Sequence, residues 1–118
     1  MDKQALIDLA ARSEAATGPD RELDLAVWRA IDPNASDLDA KGKVLLPWLW
    51  CVTSSVDAAM TLVPDRCQFG AGRDNLVEGP PGWAWVSDSE DFEVVRAATP
   101  TLALTAACLR ALASGGGV

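Results

Sequence analysis

Apolar residues recur at helical spacing in the first quarter of the chain. From Lys3 to Ala16, Leu6, Leu9 and Ala10, with Ile7 beside them, form one stripe, which predicts a first helix. Thr17-Gly18-Pro19 stops it. Pro19 suits the first turn of a following helix, where its missing N–H would be unpaired in any case, and Asp20 and Glu22 favour the positive helix end. A second helix is therefore predicted from Pro19 to about Ile31, with Leu23, Ala26, Val27, Ala30 and Ile31 on its core face.

Asp32 to Gly42 is polar and reads as a loop. Val44 to Val52, with Trp48 and Trp50 around Pro47, fits either a short strand or an extended lead-in to the next helix. Thr53 or Ser54 then predicts an N-cap, with Asp57 closing a capping box on Ser54. Val56, Ala59, Met60 and Val63 make the stripe of this third helix, and Pro64 ends it.

Beyond Pro64 the period changes to two. Arg66 to Gly70, Trp83 to Val86 and Phe92 to Ala98 alternate and predict three strands of an antiparallel meander. The link Ser87 to Asp91 is hairpin-sized, whereas Ala71 to Gly82 is a longer loop ending in Gly79-Pro80-Pro81-Gly82. Thr99-Pro100 is a cap followed by proline at the first helical position, so a last helix runs to about Ala113. Its second face is also rich in alanine and leucine, which predicts cover on more than one side. The pattern gives an α+β fold, an α-β-α sandwich in which helices cover a small three-stranded antiparallel sheet. Residues 1–113 form a single domain, and the Gly-rich 114–118 is a frayed tail.

Charge and composition narrow the chemistry. The 118 residues hold 17 Asp plus Glu against 10 Lys plus Arg, a net charge of -7, and the basic residues are scattered. Binding to nucleic-acid backbones and to acidic membrane surfaces is disfavoured. There is no histidine, which excludes Ser-His-Asp and Cys-His nucleophiles and histidine metal ligation. Cys51, Cys67 and Cys108 are odd in number and far apart, so neither a disulfide framework nor a zinc site follows, and no cofactor is implied. The start Met1-Asp2-Lys3-Gln4 opens no apolar leader, and no segment reaches the roughly 18 apolar residues of a membrane span, so a cytoplasmic protein is expected. Dimerisation through a sheet edge or the last helix is left open.

Several segments resemble the phage ABA sandwich domain, a family of small phage and prophage proteins. These are Arg21-Glu22-Leu23-Asp24, Thr53-Ser54-Ser55-Val56-Asp57-Ala58-Ala59 followed by Leu62-Val63-Pro64, and Ala98-Thr99-Pro100-Thr101-Leu102-Ala103-Leu104 leading into Ala107-Cys108-Leu109-Arg110-Ala111. Val52 stands where family members often carry an aromatic residue. The resemblance covers most of the chain and implies an α-β-α fold and a phage origin. It implies no reaction and no catalytic residues.

Candidate sites are few. Asp32-Pro33-Asn34-Ala35-Ser36 matches the first, third and fifth positions of a calcium loop, but Asp37 replaces the turn glycine and Lys43 the bidentate glutamate, so a solvated loop is expected. Gly70-Ala71-Gly72-Arg73 lacks the further glycine and lysine of a phosphate cradle. Asp88, Glu90, Asp91 and Glu93 place four carboxylates within six residues; they read first as a charged turn that keeps an edge hairpin soluble, and second as a negative field that holds a divalent cation or meets an arginine-rich partner. Trp48, Trp50, Trp83 and Trp85 form two i, i+2 pairs, which in extended chain share a face. They read first as core beneath the helices and second, with Arg66 and Arg73, as a stacking site for a nucleotide or sugar. The leading expectation is a non-catalytic accessory protein that binds a host or phage protein through its acidic surface, with counter-defence as one such role. A small-molecule binder is the alternative, and a carboxylate metal enzyme is the least favoured reading.

Overall fold

The computed structural model describes residues 3–31, 52–76 and 78–114. The loop from Asp32, the Val44 to Cys51 run with Trp48 and Trp50, and the calcium-like stretch lie outside the described residues. Two N-terminal helices, α1 (Lys3–Ala15) and α2 (Arg21–Ile31), are followed by a short α3 (Val56–Met60). The strands β1 (Gln68–Arg73), β2 (Gly82–Ser87) and β3 (Val95–Ala97) come next, and α4 (Pro100–Ala113) closes the order. The strands form one antiparallel sheet in the order β1-β2-β3. The expected α+β architecture, with helices packed on a small meander, is present.

The centre of the molecule is α4. Thr99 caps it by accepting from the Leu102 amide at 3.1 Å, and Pro100 occupies the first turn, as expected. Every residue from Thr101 to Leu109 is buried, because α4 packs on all three strands and also on α1 and α3. Such a helix reads as apolar all round, which its Ala-Leu composition satisfies. Two buried hydroxyls in the interior find partners. The Thr105 hydroxyl lies 2.8 Å from the Val52 carbonyl and 2.9 Å from that of Thr101, and the Ser13 hydroxyl donates to the Leu9 carbonyl at 2.9 Å. An ion pair between Arg110 and Glu14 fastens α4 to α1 near the surface.

The N-terminal caps differ from expectation by a residue or two. Helix α2 starts at Arg21 rather than Pro19, with the Asp20 carboxylate accepting from the Leu23 amide at 3.1 Å. Ser55, and not Thr53 or Ser54, caps α3 by accepting from the Ala58 amide. Thr53 is otherwise engaged: its hydroxyl accepts from the Asp20 amide at 2.8 Å, and its own amide donates to buried Asp24 at 2.8 Å. These bonds seat the chain at Val52 and Thr53 against the start of α2. The stripe expected for α3 is also corrected. Val56 and Met60 are both 42% exposed, while Ala58, Ala59 and Leu62 are buried, because a helix of five residues turns only its alanines onto α4.

The sheet is shifted relative to expectation as well. β1 begins at Gln68 instead of Arg66 and runs through Gly72 to Arg73, so the loop after it is shorter than expected. It is closed by the Asp74 amide donating to the Pro81 carbonyl at 2.7 Å. β3 is confined to Val95–Ala97, and Phe92 to Val94 do not pair with β2.

Candidate functional site

Antiparallel register decides which side chains share a face. Gly70 faces Trp85, Gly72 faces Trp83, and Trp83 faces Arg96 across the strands. Gly82, Ala84 and Ala97 lie on the other face and are fully buried under α4. Trp83 and Trp85 therefore point away from the helices. The reading of these indoles as core beneath the helices is corrected: they are half-buried on a sheet face that no described helix covers.

What holds the indoles down is the pair of cross-strand glycines. A Cβ on Gly70 would come within 2.5 Å of Trp85 Nε1, and one on Gly72 within 2.6 Å of Trp83 Cζ2. Each indole thus leans across β1 into the space that a missing side chain leaves. Phe92 adds a third ring, stacked on Trp85 with centroids 4.4 Å apart and planes 22° from parallel. Phe92 is itself 51% exposed, and Val94, two residues on, is 49% exposed. The result is a group of partly exposed apolar side chains, Trp85, Phe92 and Val94.

Beside these rings lies an open cleft of about 410 Å³, lined by Arg66, Gln68, Trp85, Ser87, Asp88, Ser89, Glu90 and Phe92. Its acidic side is the hairpin turn, which is built by serines. The Ser87 hydroxyl donates to the Asp91 carbonyl at 2.6 Å and accepts from the Ser89 amide at 3.1 Å, and the Ser89 hydroxyl accepts from the Asp91 amide at 3.3 Å. With turn amides and a carbonyl satisfied locally, the carboxylates are free to face solvent. Asp88, Glu90, Asp91 and Glu93 are all exposed and make no ion pair among the described residues.

The acidic group is divided by the fold. Asp88 and Glu90 face the aromatic cleft, whereas Asp91, with Asp88 again, borders a second hollow at the end of α4 lined also by Cys67, Ala111 and Ser114. Burial first, and the Asp88 carboxylate second, raise the Cys67 thiol above its ordinary pKa. Deeper in, burial pushes Cys108 up to about 12, with Cys67 adding to the effect. Burial thus works against the thiolate at both positions, the form that acts as nucleophile or metal ligand. Among the described residues no three His, Cys, Asp or Glu side chains converge as metal ligands. No described helix is long and apolar enough to cross a membrane.

The alternative small-molecule site is only partly assembled. Trp85 and Arg66 meet in the cleft and Trp83 lies on the same face, but Arg73 does not join them. It sits at the far end of β1 opposite Gly82 and donates through Nε to Asn75 Oδ1 at 2.8 Å. Trp48 and Trp50 fall outside the described residues. Sequence reasoning missed Phe92, Gln68 and the two glycines as parts of the surface. A signal was present: Gly-x-Gly on one strand of a hairpin opposite Trp-x-Trp on the other pairs absent side chains with the largest ones. No family model matches the chain, and no curated protein and no solved structure matches it either.

Proposed function

We propose that the protein acts by binding and not by catalysis, and that its working surface is the open sheet face together with the acidic hairpin. Its ligand is a protein partner that presents a basic, partly apolar segment. The observation that carries this reading is the half-exposed Phe92, stacked on Trp85 in the same cleft as the unpaired carboxylates of Asp88 and Glu90. An exposed aromatic ring beside unpaired negative charge favours apolar and cationic groups at once. The nucleotide alternative is less well supported, since Phe92 already covers one face of Trp85 and a phosphate would meet Asp88 and Glu90. Resemblance to the phage ABA sandwich domain supplies the setting, a host or phage protein as the partner, in the cytoplasm. Catalysis is disfavoured by a chain without histidine and by the burial that works against the thiolates of Cys67 and Cys108.

Affinity capture with the wild-type protein, run in parallel with an Asp88→Asn/Glu90→Gln/Asp91→Asn/Glu93→Gln variant and with Phe92→Ala, tests this reading. A partner held by wild type is expected to be lost from both variants and to be released by salt. Asp8→Asn, an exposed change on α1, is the control that retains it. A partner held equally by all four proteins defeats the proposal.

A further inference from the structure

We infer that the group received by the Trp85–Phe92 cleft is an arginine side chain of the partner; this rests on the reading above and names its recognition chemistry. Three features of the cleft converge on a guanidinium. One is a fixed aromatic surface. Phe92 is backed by Trp85, and Trp85 by the Gly70 backbone, so the ring offers its exposed side without a further loss of freedom on binding. A planar cation stacks on such a ring, and arginine does so more readily than lysine because its guanidinium is flat and weakly hydrated.

Charge is the second feature. Asp88 and Glu90 line the cleft, against Arg66 as the one cation among the described residues of its lining. The balance is negative, and an arginine fork takes up carboxylate oxygens by parallel N–H donation while its plane lies on the ring. The third feature is presentation. The Ser87 and Ser89 hydroxyls tie the turn together, so Asp88 and Glu90 sit on a formed hairpin next to the stack. Charge complementarity and a stacking surface are thus combined on one structural element. Arg66 opposes the incoming cation, which gives the inference an unusual consequence: removing a polar residue from the lining strengthens binding.

The test is a titration of the full chain with N-acetyl-arginine amide, N-acetyl-lysine amide and N-acetyl-citrulline amide. The readout is the Trp85 indole N–H resonance, identified by its loss in Trp85→Phe. The arginine ligand is expected to shift it saturably, with the lysine ligand about three- to fivefold weaker and the uncharged citrulline about tenfold weaker or more. Glu90→Gln, an exposed change that leaves packing alone, is expected to weaken the arginine ligand about fivefold, and Arg66→Ala to tighten it about twofold. Equal binding of lysine and arginine, with sensitivity to Glu90→Gln, overturns the arginine assignment and leaves the basic partner standing. Equal binding of citrulline, or no shift with any ligand, also overturns it. The capture experiment then decides separately whether the acidic face binds a protein at all.

Discussion

On the face of the sheet that meets α4, Gly82, Ala84 and Ala97 are buried beneath the helix, and Val86 and Val95 pack against the core beside them. On the opposite face, the same strands carry Trp83, Trp85 and, in the chain just after the hairpin, Phe92. The difference comes from what each face must approach. A helix laid close on a narrow sheet leaves little room for side-chain bulk where the two backbones approach most closely. The open face has no described helix above it, so large rings fold down over the neighbouring strand, and glycines there make room. The two indoles therefore mark the open face of this sheet, and its smallest residues, Gly82, Ala84 and Ala97, are buried on the face toward α4.

One added methyl group on the covered face is expected to cost the most. A Cβ on Gly82 would overlap the Thr99 carbonyl carbon and oxygen and the Pro100 nitrogen, all backbone atoms at the N-cap of α4. Backbone on both sides leaves no flexible end to move, so Gly82→Ala is expected to cost about 3 kcal/mol. The same change on the open face, Gly72→Ala, meets the distal atoms of the Trp83 indole, which turns aside. About 1 kcal/mol is expected there. Urea unfolding of the two variants with an unchanged m-value measures both, and equal costs refute the account of the two faces.

Next in size is a change in polarity at constant shape. Thr105 is fully buried, and its hydroxyl serves the carbonyls of Val52 and Thr101. Thr105→Val leaves the Val52 carbonyl without this donor in the interior, and a loss of about 2 kcal/mol follows. Trp85→Ala removes a half-buried indole and its stacking on Phe92 and is expected to cost about 1.5 kcal/mol, whereas Phe92→Ala costs about 0.5 kcal/mol. If Phe92→Ala proved as damaging as Thr105→Val, the ring would be structural and the open face would lose its claim to function.

How much of this was legible follows from where the periods are clean. Helices α1 and α4 and strand β2 were readable to within a residue or two, because their apolar spacing persists for several turns or a whole strand. The alternation predicts a longer β3 than the Val95–Ala97 strand observed. Phe92 and Val94 continue the alternation, but the turn bonds of Ser87 and Ser89 draw Asp91 back and the pairing with β2 starts only at Val95. The α3 stripe differs from the spacing because a helix of five residues is too short for its period to decide which side is buried. At the site, the four carboxylates and the Trp83/Trp85 pair stood out from the sequence alone. Alternation put the two indoles on one side of β2 but could not say which side the helices would take. The glycines did carry that information: Gly70 and Gly72 pair with the indoles, and Gly82 marks where α4 begins its approach.

Two cysteines contrast the buried interior with its edge, and their effect on stability is small. Cys108 is fully buried in α4, while Cys67, just before β1, is half-buried. Burial raises both thiols above the ordinary 9.0, and Cys108 to about 12. Only the thiolate reacts with iodoacetamide, so Cys67 is expected to be alkylated many times faster than Cys108 in the folded protein at pH 8, with mass mapping to separate the sites. The same shift carries a sign for stability. Between about pH 9 and pH 12 the unfolded chain releases the Cys108 proton while the folded chain keeps it. Its contribution is therefore fully present below the unfolded value of 9.0 and is lost as pH rises through the folded value of about 12. Cys108→Ala abolishes this component of the alkaline decline at the cost of a small cavity, so stability measured from pH 8 to pH 10.5 should fall less steeply in the variant than in wild type. Parallel slopes would show that Cys108 titrates in the folded state much as it does in the unfolded chain, and that this part of α4 is more open than its packing against the sheet and α3 implies.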